Sequence, residues 1–590
     1  MTSGMVGFKA GGGVIPGRRW SSVRQGLGTL TVIMVALSGS SSMLRAEVLR
    51  VTGGQAVATI GPRSYEAVIV SGTSSEGDRS TYRATGAVTL TDTAMAVDIS
   101  DSGLMIANGG LAAAGYGSVI GGGTFVANSA ASFDGGLYAY DGGILELTPL
   151  GSIATPDDQY LYLSGTGAFS RAAGGTYAVG ILSTADGVTA DFTAGDAIAG
   201  DVLVDTASNL NVAAPLATPG MLYLANGGAV TRSTATISTA GVTLTGASSF
   251  QAISGDSFAN VSVGGGSQFT NTAPLTLANV TVSGDDGSGI GSQFTTGAPI
   301  TLSVGGVIQV SNGGVFNAGH ALTGDGATAQ LSASGNGSLR VESTVSAFSS
   351  IAIDTGALLE LVSGSLTADT LTVSGSLAFD RTAGTYQAAT LNLGDGAAVD
   401  YGAADTISTN VTVGSGAVFT LLKSLVLSSD LALADGGSVV RASETLAVPT
   451  LTISGSSLMA LLAGDQIDQL TLVGGGRLSA PSTLLLTTLS IDTQGSQLDL
   501  ASFDGVEDRL RYALRVYGDV QTMLGDDLLN GRITLGPALQ TPGVVYDVAQ
   551  YGNYTYIGYV VAVPEPSTLA FAIGSLLFSV TMLRRRRPTP

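Results

Sequence analysis

Apolar and polar positions recur along this chain with a period of about twenty residues. NVSVGGGSQF (260–269), TLTVSGSLAF (370–379), NVTVGSGAVF (410–419) and TLTISGSSLM (450–459) share one frame. Taking the first apolar residue of each unit as a marker, the frame runs through Val202, Leu222, Val242, Val261, Val280, Ile308, Leu331, Ile351, Leu371, Leu391, Val411, Leu431, Leu451, Leu470 and Leu489. It extends back to Leu161. Successive markers lie 19 to 23 residues apart, except for 28 between Val280 and Ile308, where DDGSGI is inserted at a turn.

Each unit has the same internal grammar. Two apolar residues flank a polar one, as in Val411-Thr412-Val413, which is the alternation of a strand with one buried face. Glycine follows where the chain must turn. A second apolar position comes eight residues after the marker, at Leu210, Phe269, Leu359, Phe379 and Phe419 among others. Phe379 and Phe419 are therefore expected to point inward, and Thr412 outward. The unit is too short for a propeller blade and carries no helical period. It suits one coil of a parallel β-helix, each coil laying its strands on those of the coil before.

The frame predicts an all-β body, a parallel β-helix (β-solenoid) over residues 97–503. Residues 47–96 read as an N-terminal cap or first strands. Residues 504–562 read as a small α+β cap that covers the last sheet edges. Within it, Val506, Leu510, Ala513, Tyr517, Val520 and Leu524 repeat at helical spacing, with Asp504 as N-cap and Glu507 and Asp508 in the first turn. Tyr-rich strands around YGNYTYIGYVVAV complete it.

The two ends carry a different pattern, that of hydrophobic targeting helices. Residues 1–46 join Arg18, Arg19 and Arg24 to an apolar run over 27–37 and a small-residue exit at Ala46. That is the order of a secretory signal peptide. At the other end, residues 569–583 carry no charge and are followed by Arg584, Arg585, Arg586 and Arg587. As a helix this stretch approaches the length of a membrane span, with its cations on the cytoplasmic side.

Pro564, Glu565 and Pro566 stand directly before that apolar stretch. Residues 563–590 thus resemble the PEP-CTERM sorting signal of Gram-negative bacteria: Pro-Glu-Pro, one hydrophobic helix, then an arginine cluster. The resemblance implies recognition by an exosortase, which cuts near Pro-Glu-Pro. It also implies a precursor held transiently in the inner membrane, then delivery to the cell surface or extracellular matrix, with exopolysaccharide or biofilm as the surroundings.

Composition narrows the partners. The formal charge is −20, and setting aside the nine cationic residues of the two ends leaves 15 against 44 acids, a balance near −29. Such a field disfavours nucleic acid and anionic membrane surfaces. It suits neutral or cationic polymers, and divalent cations bound weakly and diffusely, since no calcium-loop pattern gathers the acids. No cysteine is present, so neither disulfides nor thiolate metal sites form.

Parallel β-helices include polysaccharide lyases and hydrolases, so the body has to be weighed as a catalytic scaffold. His320 is the single histidine, in NAGHALTG, and Asp285-Asp286 sit in the Gly-rich insertion. Lys423 stands without clustered acids in TLLKSLVL. No nucleophile elbow, zinc motif, phosphate loop or EF-hand is present. These residues assign no catalytic site, no metal site and no cofactor. The reading is a non-enzymatic structural or adhesive protein, with a glycan-active β-helix enzyme as the alternative. One polar feature recurs: Arg171, Arg232, Arg381 and Arg441 each fall ten residues after a marker, and FSRAAGGTY echoes FDRTAGTY. Two roles remain open, ion pairing at a corner, or glycan contact by Arg171, Tyr177, Arg381 and Tyr386.

Overall fold

Every marker of the twenty-residue frame is hydrogen-bonded in register with the next. Leu161 pairs with Leu182, Leu182 with Val202, and the ladder continues through Leu222, Val242, Val261, Val280, Ile308 and onward to Leu489. All these pairings are parallel. The computed structural model describes residues 47–75, 77–507, 510–536 and 546–560. The expected signal peptide and the sorting tail lie outside them. Among the described residues no helix is long and apolar enough to cross a membrane.

The chain divides into two compact units, Met1–Ala154 with Ser170–Gly175, and Thr155–Phe169 with Thr176–Pro590. Each is built as a parallel β-solenoid. In the first unit a coil contributes three strands, for example Leu49–Thr52, Ala56–Thr59 and Arg63–Tyr65. These stack on Val68–Ser71, Thr81–Ala84 and Val88–Leu90 of the next coil. The coils thus begin by Leu49, and residues 49–90 belong to the same ladders as those that follow rather than to a separate cap.

In the second unit the alternation becomes a dry axis. Phe269 stacks on Phe294 at 4.6 Å between ring centroids, and Phe294 on Phe316 at 4.9 Å. These rings occupy the second inward position of successive coils and are fully buried. Side chains of this size each contribute about 1.5–3 kcal/mol when removed from water. The turn after the marker strand explains the glycines. Asp435 (φ 50°) and Gly436 (φ 86°) are left-handed, and a Cβ on Gly437 would lie 2.0 Å from the Val413 carbonyl oxygen. Only glycine fits there without displacing backbone.

The long spacing has two causes. The insertion forms a small antiparallel excursion closed by the Asp285–Gly291 bridge. A register shift after Leu277 adds the remainder, within the strand Ile300–Ser311.

Two expectations are corrected. The helix expected over 506–524 is instead a strand pair, Gly505–Glu507 and Leu510–Tyr517, with a helix only at Gln521–Leu529. Leu510–Tyr517 pairs in parallel with Leu484–Leu486 and antiparallel with Tyr554–Val560. The open edge of Leu484–Leu486 supplies backbone partners that a helix could not satisfy, and this outweighs helical periodicity. Phe379 is the second correction: unlike Phe419 it is half-buried. The sheet that carries it ends at Phe379–Arg381, so no following strand of that sheet covers its ring.

Candidate functional site

Three of the four recurring arginines, Arg232, Arg381 and Arg441, mark the places where the second sheet of the second unit is interrupted. Its ten-stranded section ends at Phe379–Arg381 and its three-stranded section at Ser438–Val440, directly before Arg441. At Arg232 the ladder is reduced, among the described residues, to the single pair Ala229 with Ser249. The inward residue two places before each arginine, Val230, Phe379 or Val439, is half-buried.

At each interruption an aspartate 24 residues after the arginine takes over the backbone donors. Asp256 Oδ1 accepts from the Ile237 amide at 2.8 Å and Oδ2 from the Ile253 amide at 2.8 Å. Asp405 accepts from Tyr386 and Gly402, and Asp465 from Leu446 and Leu462. The arginine closes the motif. Arg232 donates from Nη1 and Nη2 to the two oxygens of Asp256, both at 2.6 Å, and from Nη2 to the Gln251 carbonyl at 2.7 Å. Arg441 pairs in the same two-pronged way with Asp465 and donates to the Ala460 carbonyl. Arg381 pairs with Asp405 and donates to the Asp400 carbonyl. The guanidinium of Arg232 also lies 5.1 Å from the centre of the Phe250 ring.

These clamps are buried, with side-chain exposures of 6% and 0% for Arg232 and Asp256, and 4% and 2% for Arg441 and Asp465. Each aspartate satisfies one amide at the start of the strand that follows the arginine and one in the turn three residues before itself. Their chemistry is directed into the fold.

The two tyrosines expected to meet glycan are equivalent to each other but do not face solvent. Tyr177 and Tyr386 are 1% and 0% exposed. Their hydroxyls donate to the carbonyls of Asp191 and Asp400, both at 2.9 Å. Their amides bind Asp196 and Asp405. Burial, followed by the charge of Asp405, holds the Tyr386 hydroxyl well above its ordinary pKa. Glycan contact by these rings is therefore corrected to a corner-filling role. Arg381 lies in the clamp just described. Arg171 ends the strand Phe169–Arg171 and is half-buried.

The other sequence candidates are dispersed. His320 is exposed, and its amide donates to Thr296 Oγ1 at 2.8 Å. Asp285 and Asp286 accept hydrogen bonds from their own loop, at Gly287, Ser288 and Ile290. Lys423 donates to the carbonyls of Ala403 and Asp405 and stands 4.5 Å from the centre of the Tyr401 ring. Among the described residues, no group of three or more His, Asp or Glu is placed to hold a metal ion. Sequence reasoning missed Asp256, Asp405 and Asp465. The signal for them was the constant interval of 24 residues after arginine. No family model, curated protein or solved structure matches this chain.

Proposed function

We propose that this chain is the precursor of a non-enzymatic structural or adhesive protein of the cell envelope or extracellular matrix. It is exported by residues 1–46, held transiently in the inner membrane by residues 569–583, and released by an exosortase acting near Pro564, Glu565 and Pro566. Its surroundings are exopolysaccharide, with divalent cations bound diffusely to the acidic body. The observation that supports a structural role is the repeated clamp: Arg232, Arg381 and Arg441, which share one offset from their coil markers, join coils and are turned into the fold.

The test is to express the full chain in a host with an exosortase and in one without. The exported protein is then examined by intact mass, and the matrix polysaccharide assayed for newly released reducing or unsaturated ends. The expected mature chain lacks residues 1–46 and 569–590, stays with the matrix and releases no ends. Retention of Arg584, Arg585, Arg586 and Arg587 in the exosortase host would leave only a plain membrane anchor. Polymer cleavage would reverse the non-enzymatic reading.

A further inference from the structure

The first sheet of the second unit has an outward face unlike the rest of the chain. In most coils two side chains flank the buried marker and point outward, such as Thr370 and Thr372, Asn410 and Thr412, or Thr450 and Thr452. From the coil of Val242 to that of Leu489 these paired positions hold no lysine, no arginine and no aromatic residue, and Asp430 is their only acid. In a chain with a formal charge of −20 these paired positions are almost neutral, and the exposed acids Asp369 and Asp468 lie just outside them on the same sheet.

The face is also kept in register where the others are not. The second sheet is interrupted at each clamp, and the DDGSGI insertion lies outside the marker ladder. The register shifts at Leu277/Asn279, Val345/Phe348 and Ala388/Thr390 fall within these strands but ahead of the marker, so each marker and its two flanking residues stay in register with the next coil. Outward groups therefore repeat at about 4.7–4.9 Å along the ladder and about 6.4–6.8 Å across it. Neighbouring coils meet at hydrogen-bond distance, as where Asn279 Nδ2 donates to Asn260 Oδ1 at 2.9 Å.

We propose that this face binds a neutral, unbranched, hydroxyl-rich polysaccharide. Hydroxyl and amide groups both donate and accept, so they match a polyol without desolvating a charge. A polyanion gains nothing from a neutral face and is repelled by the acidic body. A polycation would settle on the acids outside this face. Each contact with a sugar hydroxyl is modest, so affinity comes from many coils engaging one extended chain, and long polymers bind where short oligomers do not. This inference rests on the matrix-association reading and names the polymer class and the surface.

The experiment uses the full chain in detergent, mixed with insoluble β-1,4-glucan, β-1,3-glucan, polygalacturonate and chitosan, and with a soluble glucan tetramer. The face is altered by T372D/T412D/T452D, and the outward side of the second sheet by T270D/T295D/T420D as control. Melting curves confirm folding, and the single exposed Thr412→Asp replaces the triple variant if that does not fold. The wild-type chain is expected to bind a neutral glucan in high salt and not the tetramer. The face variant should lose about tenfold or more in affinity, and the control less than about twofold. Equal loss in both variants, or in neither, overturns the proposed surface. Binding to polygalacturonate alone overturns the polymer class and leaves matrix association standing. Binding to no polymer removes both.

Discussion

Arg232 and Asp256 stand 24 residues apart in the chain and 2.6 Å apart in space, the guanidinium fork meeting both carboxylate oxygens. Neither side chain is exposed by more than 6%. Asp256 at the same time accepts the amides of Ile237 and Ile253. One carboxylate thus satisfies a strand amide and a turn amide and is itself neutralised.

Arg232→Ala should destabilise the second unit by about 3–5 kcal/mol, because it leaves a buried carboxylate without its partner. Arg232→Met with Asp256→Leu should cost less than the sum of the two single changes, since no lone charge remains. Urea midpoints of the four proteins test this. Additive losses would show that the pair is not coupled.

The inward positions are expected to differ in a set order. Phe419 is fully buried, and Phe419→Ala should cost about 3–5 kcal/mol. Phe379→Ala should cost distinctly less, because that ring is half-exposed. Thr412→Asn, on the outward face, should stay within about 0.5 kcal/mol. Denaturation midpoints that rank Phe379 with Phe419 would contradict the interrupted sheet.

Alkaline titration should separate buried tyrosines from exposed ones. Burial raises the hydroxyls of Tyr82 and Tyr386, and burial with the neighbouring Glu507 pushes Tyr556 up to about 12. The fold favours the protonated form of these groups, so their contribution to stability is intact below the unfolded value near 10. It is lost as pH rises from there through the folded values. Tyrosinate absorbance should show a late fraction that ionises together with unfolding. Full ionisation near pH 10 in a still folded protein would refute this.

Asp98 is shifted in the same direction as these tyrosines, but its effect falls at neutral pH. Burial, and then the charge of Asp101, raise its carboxyl above the ordinary range. The ionised form is disfavoured in the folded state, so the penalty is present at neutral pH and vanishes as acid protonates the group. Asp98→Asn should raise the melting temperature at pH 7, and the gain should shrink below about pH 4. A gain independent of pH would assign the effect to packing alone.

The coil frame was legible in the sequence because it is local. Alternation around Leu391 or Val411 states which side chains are buried, and the twenty-residue interval states which residues stack, whatever the neighbouring coils contain. The echo of FSRAAGGTY and FDRTAGTY likewise pointed to one shared corner, with Tyr177 and Tyr386 in matching places.

What only the tertiary structure decided are the features that depend on the next coil. Arg381 does not reveal its role until stacking brings Asp405 beside it, and Phe379 has the right period but loses cover where the ladder stops. Leu510–Tyr517 fits helical and strand periods alike, and the unpaired edge of Leu484–Leu486 settles the choice through hydrogen bonds that no local pattern encodes. Periodicity therefore determined the side chains of the axis. The backbone pairing and the burial of charge were determined by which coil lies above and below.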